Sequence, residues 1–394
     1  MNRSKIVVLV AAHNEERSIV PTLKSLLAQD RRASRIVVAA DNCSDNTVAL
    51  AKSVRGVTVF ETKNNSAKKP GALNQAWRRY CKKAEFVVCI DADTLLPSNA
   101  IADWEAEFLA DATLGGCSAK FTMLVSPAMT KSERLLVRLQ RAEFSKWTDL
   151  ALRRNRRTSV LAGTACCINN DALREVSERR VAAGQADGPW TESSMVEDFE
   201  LTYRLRGLGW TTRVSASVRA YTDAMTDLRS LWAQRMKWQT GTVSDLLAFG
   251  ANKLTRFDWW QQAQGALAVF VRGLWVTTLI GGAVFGNLRL NPWWLLPPIA
   301  FVANDIKQAF RIPHRDRGDI VVAALLLPQE LFAFMRAGWF LNSWVRVLGE
   351  RLFGISHRDG WSRQAEAEAR RRFSLGSGYA ETNLESATPA ANAA

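Results

Sequence analysis

The sequence predicts an α/β fold in which a twisted sheet flanked by helices is followed by a C-terminal helical membrane region. From residue 5 to about 125, short β-branched runs alternate with helical patterns, which is typical of βαβ units with parallel strands. Beyond Phe257, long apolar runs replace this alternation. The chain has 394 residues, of which 47% are hydrophobic, so it is large enough to bury a substantial core.

The first part of the chain contains five predicted strands and four predicted helices. We place the strands at Ile6–Ala12, Arg35–Ala40, Val57–Glu61, Phe86–Asp91 and Gly116–Leu124. We place the helices near Glu16–Gln29, Asn46–Val54, Pro70–Cys81 and Asn99–Leu109. The N-terminus runs straight into the first strand without a small-residue cleavage site, so we expect no signal peptide. Sheets of this kind bind ligands in loops at the carboxyl ends of their strands.

Two amphipathic stretches lie in the middle of the chain. Residues 131–157 are basic and amphipathic, and they either lie along a membrane surface or cover the sheet. A strand-like segment, Thr158–Ile168, follows, and a second amphipathic helix is expected near residues 227–248. We expect one domain over residues 1–250 to include both.

The apolar region at residues 257–350 predicts two or three membrane spans. Ala266–Phe285 is apolar except for Arg272, and its length is close to the roughly 20 residues that cross a bilayer. Leu290–Asn304 is shorter and contains three prolines, which favours a broken span or a re-entrant hairpin. Ile320–Leu348 is long enough to span.

The third of these segments carries polar groups, namely Gln329, Glu330 and Arg336. A charge at the centre of a membrane helix costs about 2.5–3.5 kcal/mol, so these groups must pair, face a channel or lie near an interface. The alternative is a buried helical hairpin of a soluble domain. Residues 374–394 have the composition of a disordered tail.

Charge and cysteine content narrow the function classes. The 52 Lys and Arg against 38 Asp and Glu give a net charge of +14, which suits a nucleic acid, an anionic membrane or a phosphate-bearing substrate. The sequence contains no aromatic-basic RNA motif and no recognition helix, so we expect no nucleic-acid partner. The six cysteines form no CxxC pair, which predicts buried thiols in a reducing compartment.

Polar residues follow the predicted strands one and two. His13, Asn14 and Glu15 come after the first strand, where Asn14 has the chemistry of a helix N-cap. Asp41 ends the second strand, and Ser44 and Asp45 fit a capping turn after it. A capping turn accounts less well for Asp41 itself.

The next two motifs favour phosphate and metal binding. Lys68 and Lys69 precede a Pro-Gly turn and a helix start, which places cations beside exposed backbone N–H groups. Asp91 and Asp93 follow a buried apolar strand. Because residues i and i+2 of an extended segment point the same way, both carboxylates are expected to approach one hard cation.

Two later clusters complete the candidate site. Glu197 and Asp198 precede an amphipathic helix, so they are either acidic residues at a helix N-terminus or provide a general base. An amide, two cations and an indole lie on one helix-like segment, at Gln234, Arg235, Lys237 and Trp238. A packed interfacial helix would explain the same residues.

Together and in this order, these motifs resemble the processive membrane branch of glycosyltransferase family 2, which includes the synthases of hyaluronan, cellulose and poly-N-acetylglucosamine. The resemblance covers residues 5 to about 250 and the layout of the C-terminal helices. It implies a GT-A-type twisted mixed sheet over residues 1–250. It further implies inverting transfer from a nucleotide-diphosphate sugar, a UDP-sugar, with Mg²⁺ or Mn²⁺ as the cofactor.

The resemblance also implies a role for each motif. His13, Glu15 and Asp41 hold the uracil and ribose, Lys69 contacts the nucleotide, and Asp91 and Asp93 bind the diphosphate and metal. Asp198 is the catalytic base. Binding of the sugar and acceptor falls to Gly163, Thr164, Glu197 and Trp238, whereas Gln234, Arg235 and Trp238 lie near the donor.

The resemblance places a multi-pass protein in the membrane, with its catalytic domain on the cytoplasmic side and polysaccharide as its product. Two features depart from the family pattern. Lys237 stands where the family has an arginine, and no span precedes the first strand. Both favour the alternative, in which a single sugar is transferred to a lipid, glycan or protein acceptor. A binding protein without catalysis is the second function class, and the oligomeric state is not predicted.

Overall fold

The computed structural model describes residues 4–286, 293, 296–355 and 359–368. They form two compact units. The first lies within Met1–Thr130 and Lys146–Thr226, and the second lies within Lys131–Ser145 and Asp227–Arg371. The amphipathic helix expected near residues 227–248 is therefore part of the second unit. The predicted tail at residues 374–394 lies outside the described residues.

The described part of the first unit is built around an eight-stranded mixed sheet with the order β3-β2-β1-β4-β7-β6-β8-β5. The strands are β1 (Ile6–Ala12), β2 (Arg35–Ala40), β3 (Thr58–Glu61), β4 (Phe86–Asp91), β5 (Thr94–Leu95), β6 (Leu114–Met123), β7 (Ala165–Asn169) and β8 (Thr211–Thr222). β1 to β4 pair in parallel, as predicted. β7 lies between β4 and β6 and is antiparallel to both, so the fifth predicted strand, β6, does not pair with the parallel strands β1 to β4.

The sheet carries helices on both faces. The helices formed wholly or partly by this unit are α1 (Ile19–Leu27), α2 (Thr47–Ser53), α3 (Lys68–Tyr80), α4 (Ala100–Ala110), α5 (Lys131–Arg153), α6 (Asn170–Ala182) and α7 (Glu197–Gly207). Alternate residues of β1 point to opposite faces. Val8 and Val10 belong to one hydrophobic core with residues of α1 and α4, whereas Leu9 belongs to a second core with residues of α3, α6 and α7.

Sequence patterns predicted which elements form more accurately than where each element begins and ends. The helix predicted from Glu16 begins at Ile19, and the strand predicted at Thr158–Ile168 is confined to β7. Residues 158–164 form a loop instead, in which the N–H groups of Leu161 and Gly163 bond to side chains of α7. Within that loop, Leu161 N–H donates to Thr202 Oγ1 at 2.8 Å. The six cysteines are free thiols, and five of them are buried, with Cys43 half-buried.

The second unit is helical. Besides residues 131–145 of α5 it contains α8 (Leu228–Phe249), α9 (Arg256–Val284), α10 (Leu296–Ala309), α11 (Arg317–Ala324), α12 (Leu326–Phe353) and α13 (Gly360–Glu368). Aromatic rings join α8 to α12, since Trp232 and Trp339 meet edge to face with their centroids 6.1 Å apart. Thr240 of α8 also bonds to Ser343 of α12 at 3.3 Å.

Among the described residues, α9 is the helix that is long and apolar enough to cross a membrane by itself. Its most apolar window has a mean hydropathy of 1.7, and none of that window is buried. These apolar residues therefore do not form a core of this chain, which argues against the buried hairpin. Arg272 of α9 pairs with Glu330 of α12, with 3.1 Å between Nε and Oε2. Of the three alternatives expected for the polar groups of this segment, Glu330 therefore follows the first, since it is paired.

The prediction of two or three spans and a multi-pass topology is not supported. α11 and α12 pass the test for a span only as a pair, and they are bent by 77°. The predicted segment Leu290–Asn304 lies partly outside the described residues. Its described helix, α10, has 14 residues and is about 21 Å long, which is too short for a hydrocarbon core of about 30 Å. The described residues support one span, or two if the bent pair crosses.

Candidate active site

Three parallel strands end together at one edge of the sheet. Ala12 of β1 is in register with Ala40 of β2, and Ala11 is in register with Asp91 of β4. The polar residues that follow these strands are therefore brought to the same edge, as the fold class predicted. Nδ1 of His13 lies 2.6 Å from the carbonyl oxygen of Asp41, so the first two motifs are in direct contact.

Asp41 is buried, with 5% of its surface exposed, and its side chain organises this edge. Its Oδ1 accepts hydrogen bonds from Thr62 Oγ1 at 2.8 Å, from Asn65 Nδ2 at 2.7 Å and from Asn42 Nδ2 at 3.1 Å. The carboxylate thus joins the ends of β2 and β3 to the loop before α3. Sequence reasoning missed Asn65, since no local pattern links it to Asp41.

The turn after β1 differs from the predicted helix cap. Asn14 has a φ of 58°, and its Oδ1 accepts a hydrogen bond from Ser44 N–H at 2.8 Å. Asn14 therefore ties the loops after β1 and β2 together and does not cap α1. Glu15 extends the connection, because its N–H donates to Thr47 Oγ1 at 2.6 Å. Asp45 fulfils the predicted capping role, accepting from Thr47 N–H at 2.9 Å.

Lys69 connects two of the predicted acidic motifs. Its Nζ lies 2.5 Å from Oδ1 of Asp91 and 3.6 Å from Oε1 of Glu197. The Lys69 side chain is 18% exposed and that of Glu197 is 5% exposed, so water screens this cluster weakly. The end of β4 and the start of α7, which are over 100 residues apart in the chain, meet at one ammonium group.

The acidic surroundings keep Lys69 charged. Burial by itself would lower the pKa of Lys69, but the charges of Asp91 and Glu197, the hydrogen bond to Asp91 and the charge of Asp198 outweigh it. The pKa is therefore raised above its ordinary value. A permanently charged ammonium group beside carboxylates is suited to contact phosphate oxygens.

The loop before β7 lies against the same cluster. The N–H of Gly163 donates a 2.9 Å hydrogen bond to Oδ2 of Asp198, and the carbonyl of Thr164 accepts one of 3.1 Å from Asp91 N–H. A Cβ atom at Gly163 would lie 2.9 Å from Nζ of Lys69. The structure therefore brings together Lys69, Asp91, Gly163, Thr164, Glu197 and Asp198.

Gly71 and Asn74 of α3 have packing roles. A Cβ atom at Gly71 would lie 2.0 Å from Oδ1 of Asn65, which leaves no room for a side chain. Asn74 makes two hydrogen bonds to the backbone of Trp190, at 2.8 and 3.1 Å. These contacts hold the segment that precedes Glu197 against α3.

Asp91 and Asp93, at the end of β4, are arranged differently from the prediction. Asp91 is the last residue of β4, but Asp93 lies in the turn before β5. The extended backbone ends at Asp91, so the alternation of a strand does not align the two side chains. Asp93 is half-buried, and its Oδ1 accepts a 3.2 Å hydrogen bond from Thr94 Oγ1.

The chemistry of this pair fits a metal ion that is shared with a ligand. In the part of the chain that the structure describes, no group of three or more His, Cys, Asp or Glu residues is placed to hold a metal ion. Mg²⁺ commonly takes one or two carboxylates and completes its coordination with phosphate oxygens and water. Asp91 and Asp93 supply carboxylate oxygens of this kind.

The predicted Gln234–Trp238 segment lies in α8 of the second unit. Arg235 is buried and pairs with Glu143 of α5, with Nη2 and Oε2 2.9 Å apart. Its guanidinium carbon also lies 4.4 Å from the ring centroid of Trp238, and Nη1 donates to Gln234 Oε1 at 2.5 Å. These residues form one packed cluster. Burial lowers the pKa of Arg235 despite the charge of Glu143.

Lys237, which departs from the family pattern, has an aromatic partner that sequence reasoning missed. Its Nζ lies 3.3 Å from the ring centroid of Trp361 in α13. Lys237 is itself buried. A cation held on an aromatic face is attracted by the ring quadrupole, so α13 fixes the lysine ammonium group. The spacing of 124 positions gave no local signal for this contact.

Comparisons with known proteins agree with the predicted family and fold. The model of a family described as glycosyltransferase like family 2 matches residues 3–241. A poly-beta-1,6-N-acetyl-D-glucosamine synthase of Staphylococcus aureus (strain COL) is 25% identical over 256 residues, which are 64% of this chain and 58% of the relative. One from Staphylococcus epidermidis is 22% identical over 255 residues, covering 61% of this chain and 55% of the relative. The chain thus spans less than two thirds of the length of these relatives.

A solved structure supports the fold. The mannosyltransferase PcManGT from Pyrobaculum calidifontis, in complex with GDP-Man and Mn²⁺, aligns over 90% of this chain and 89% of its own with a TM-score of 0.54. The two chains are 18% identical, so the likeness concerns the fold alone. The mixed sheet with flanking helices is therefore confirmed as GT-A-like.

Proposed function

The chain belongs to glycosyltransferase-like family 2, and from this premise we propose that it is an inverting, metal-dependent transferase that uses a UDP-sugar at the cytoplasmic face of a membrane. The contact of Lys69 with both Asp91 and Glu197 carries this proposal. It brings a charged group suited to a diphosphate next to Asp198, a carboxylate suited to a base. The similarity to polysaccharide synthases supports the same reaction class.

In this proposal Asp198 is the catalytic base. Its carboxylate takes the proton of an acceptor hydroxyl, whose oxygen attacks the anomeric carbon from the face opposite the nucleotide. The bond between that carbon and the diphosphate oxygen breaks, the nucleoside diphosphate leaves, and the configuration is inverted. The hydrogen bond from Gly163 N–H orients the carboxylate, and Asp198 is half-buried, so part of its surface is accessible to an acceptor.

The donor lies along the edge where β1, β2 and β4 end. His13, Glu15 and Asp41 line the nucleoside part, and Lys69 meets the diphosphate. A bound Mg²⁺ or Mn²⁺, held by Asp91 and Asp93, would neutralise negative charge on the departing diphosphate. Gly163, Thr164 and Glu197 border the sugar, since they lie beside Lys69 and Asp198.

In this proposal the second unit supplies the membrane attachment. α9 is exposed and apolar over a membrane-spanning length, which suits a bilayer. As the family resemblance implies, we propose that Trp238 contacts the acceptor and that Gln234 and Arg235 contact the donor. We further propose that residues 1–250 form the GT-A catalytic region, although α8 belongs to the second compact unit, and that residues 257–350 form the membrane-associated helices.

Polysaccharide synthesis is the use that the relatives favour, because both are named as polymer synthases. The lysine at position 237 favours transfer of a single sugar instead. Lysine keeps the charge of arginine but lacks its planar fork, which weakens a bidentate grip on phosphate. Product size separates these two uses.

The test is a donor screen on the detergent-solubilised full chain. Radiolabelled UDP-sugars and GDP-mannose are incubated with and without Mn²⁺, and nucleotide release and product size are measured. We expect metal-dependent release from a UDP-sugar and a ladder of products on a sizing gel. A single shifted acceptor would assign the alternative use, and activity that a chelator leaves intact would remove the metal from the proposal.

A further inference from the structure

The ammonium group of Lys69 is bonded to a carboxylate oxygen of Asp91 that the proposed metal ion would bind. Its ammonium lies 2.5 Å from Oδ1 of Asp91, one of the two aspartates assigned to the divalent cation. We propose that Lys69 is a positioning residue that holds the place of the cation until the donor arrives, so that metal binds tightly only together with the diphosphate. This inference rests on the proposed function and adds an order of binding to it.

The surroundings of Lys69 leave its ammonium little freedom to withdraw. Asp91 lies on one side, and Oε1 of Glu197 lies 3.6 Å away on α7. The Gly163 backbone closes a third side, since a Cβ atom there would lie 2.9 Å from Nζ and 3.6 Å from Cε. The side chain begins at the second residue of α3, so its origin is fixed by a helix. In the absence of a ligand, these contacts retain the ammonium beside Asp91.

A divalent cation on Asp91 would lie close to this ammonium, and the two positive charges would repel each other. The diphosphate of a donor offsets this repulsion, because its oxygens attract both the lysine and the metal. The ammonium can then exchange Asp91 for a phosphate oxygen and release the carboxylate. Metal and nucleotide thus favour each other's binding. By thermodynamic linkage the effect is the same in both directions.

The test measures binding and needs no turnover. Mn²⁺ affinity of the full chain in detergent is determined by electron paramagnetic resonance without nucleotide, for the wild type and for Lys69→Gln. The UDP affinity of each protein is determined by calorimetry with and without Mn²⁺. We expect Mn²⁺ to strengthen UDP binding to the wild type by about tenfold or more. Lys69→Gln should raise the affinity for Mn²⁺ alone by about tenfold.

Three variants make the test specific. Lys52→Gln removes one cation from an exposed pair with Glu61 and should leave both affinities unchanged. Lys69→Arg retains the charge and should bind Mn²⁺ alone as weakly as the wild type. In Lys69→Gln/Asp91→Asn the gain should disappear, since the carboxylate that Lys69 released is replaced by an uncharged amide. Thermal melting of each variant establishes that it is folded. If a variant does not fold, the wild-type Mn²⁺ affinity and the effect of Mn²⁺ on wild-type UDP affinity still test the inference.

The outcomes separate this inference from the proposed function. Equal or weaker Mn²⁺ binding by folded Lys69→Gln would overturn the inference and leave the metal-dependent reaction in place. Wild-type affinity for UDP that does not respond to Mn²⁺, in a protein that binds Mn²⁺, would overturn it as well. A gain that persists in the double variant would do the same, because the ion would then bind elsewhere. If the protein binds no Mn²⁺, with or without UDP, both the inference about Lys69 and the proposed metal-dependent reaction are overturned.

Discussion

The backbone N–H of Gly163 donates a 2.9 Å hydrogen bond to Oδ2 of Asp198. This bond joins the loop before β7 to the first turn of α7, and it orients the carboxylate that we assign as the base. The same glycine lies against Lys69, where an added Cβ atom would approach Nζ to 2.9 Å. Glycine at this position therefore both orients Asp198 through its N–H and leaves room for the Lys69 ammonium group.

Gly163→Ala should reduce activity without unfolding the protein. The three atoms nearest to the new methyl group belong to the side chains of Lys69 and Glu197, so Lys69 is pushed out of its present contacts while the fold survives. Displacement of about 1 Å at a reacting group is enough for a loss of about tenfold to 100-fold in kcat/KM. Steady-state kinetics and the Tm measure the two effects.

Gly281→Ala is the matched control for this change. An alanine there meets nothing within 4 Å and needs no unusual φ, so both activity and Tm should stay at the wild-type values. Full activity of Gly163→Ala would show that the loop has room for a side chain and that the position of Lys69 is not critical.

Glu143→Gln should strongly destabilise the second unit. Glu143 and Arg235 are 5% and 3% exposed at the side chain, so removal of the carboxylate leaves a buried guanidinium without its counter-charge. Loss of one partner of a buried pair costs about 3–5 kcal/mol. Thermal or chemical unfolding of the purified protein measures this loss.

The double variant Glu143→Leu/Arg235→Met tests the reason for that loss. Apolar residues of similar volume need no counter-charge, so this variant should recover most of the stability. A double variant as unstable as Glu143→Gln would mean that packing around Arg235, and not its charge, is what the single change disturbs.

Lys120 predicts a dependence of stability on pH. Its burial lowers its pKa to about 8, and the charges of Arg219 and Arg156 act in the same direction, outweighing that of Glu107. The ordinary pKa is 10.5. Between these two values the unfolded chain binds more protons than the folded one, so this residue's contribution to stability rises with pH.

The Tm of the wild type and of Lys120→Met, measured from about pH 8 to about pH 10, tests this sign. Other groups titrate in the same range, so the difference between the two proteins is the relevant quantity. We expect the wild type to gain stability relative to the variant as the pH rises. A constant difference would show that Lys120 titrates alike in the folded and unfolded chain.

The parallel half of the sheet was predictable because its strands are short apolar runs between helical patterns. β1, β2 and β4 have the predicted bounds. The start of α1 was not predictable, since the φ of 58° at Asn14 depends on a bond to Ser44 in another loop. The extent of β7 was missed for a similar reason. Leu161 bonds to Thr202, 41 positions away, and this contact replaces a strand ladder.

The residues of the candidate site were identified from motifs, but their contacts were not. Lys69 and Glu197 are distant in the chain, and no local pattern pairs them. The same holds for Asn65 with Asp41 and for Trp361 with Lys237. Periodicity and spacing report on neighbours in the chain, whereas these contacts arise when loops meet at the edge of the sheet or when helices pack.

The role of Asp198 is tested most directly by sugar transfer in Asp198→Asn, measured with the donor and metal that the screen identifies. The amide keeps the size of the side chain but cannot take a proton from the acceptor. Exposed Glu192, changed to Gln, is the charge-matched control. We predict that kcat falls by about 10²- to 10⁴-fold in Asp198→Asn while UDP still binds. Transfer at the wild-type rate by Asp198→Asn would contradict the assignment of Asp198 as the base.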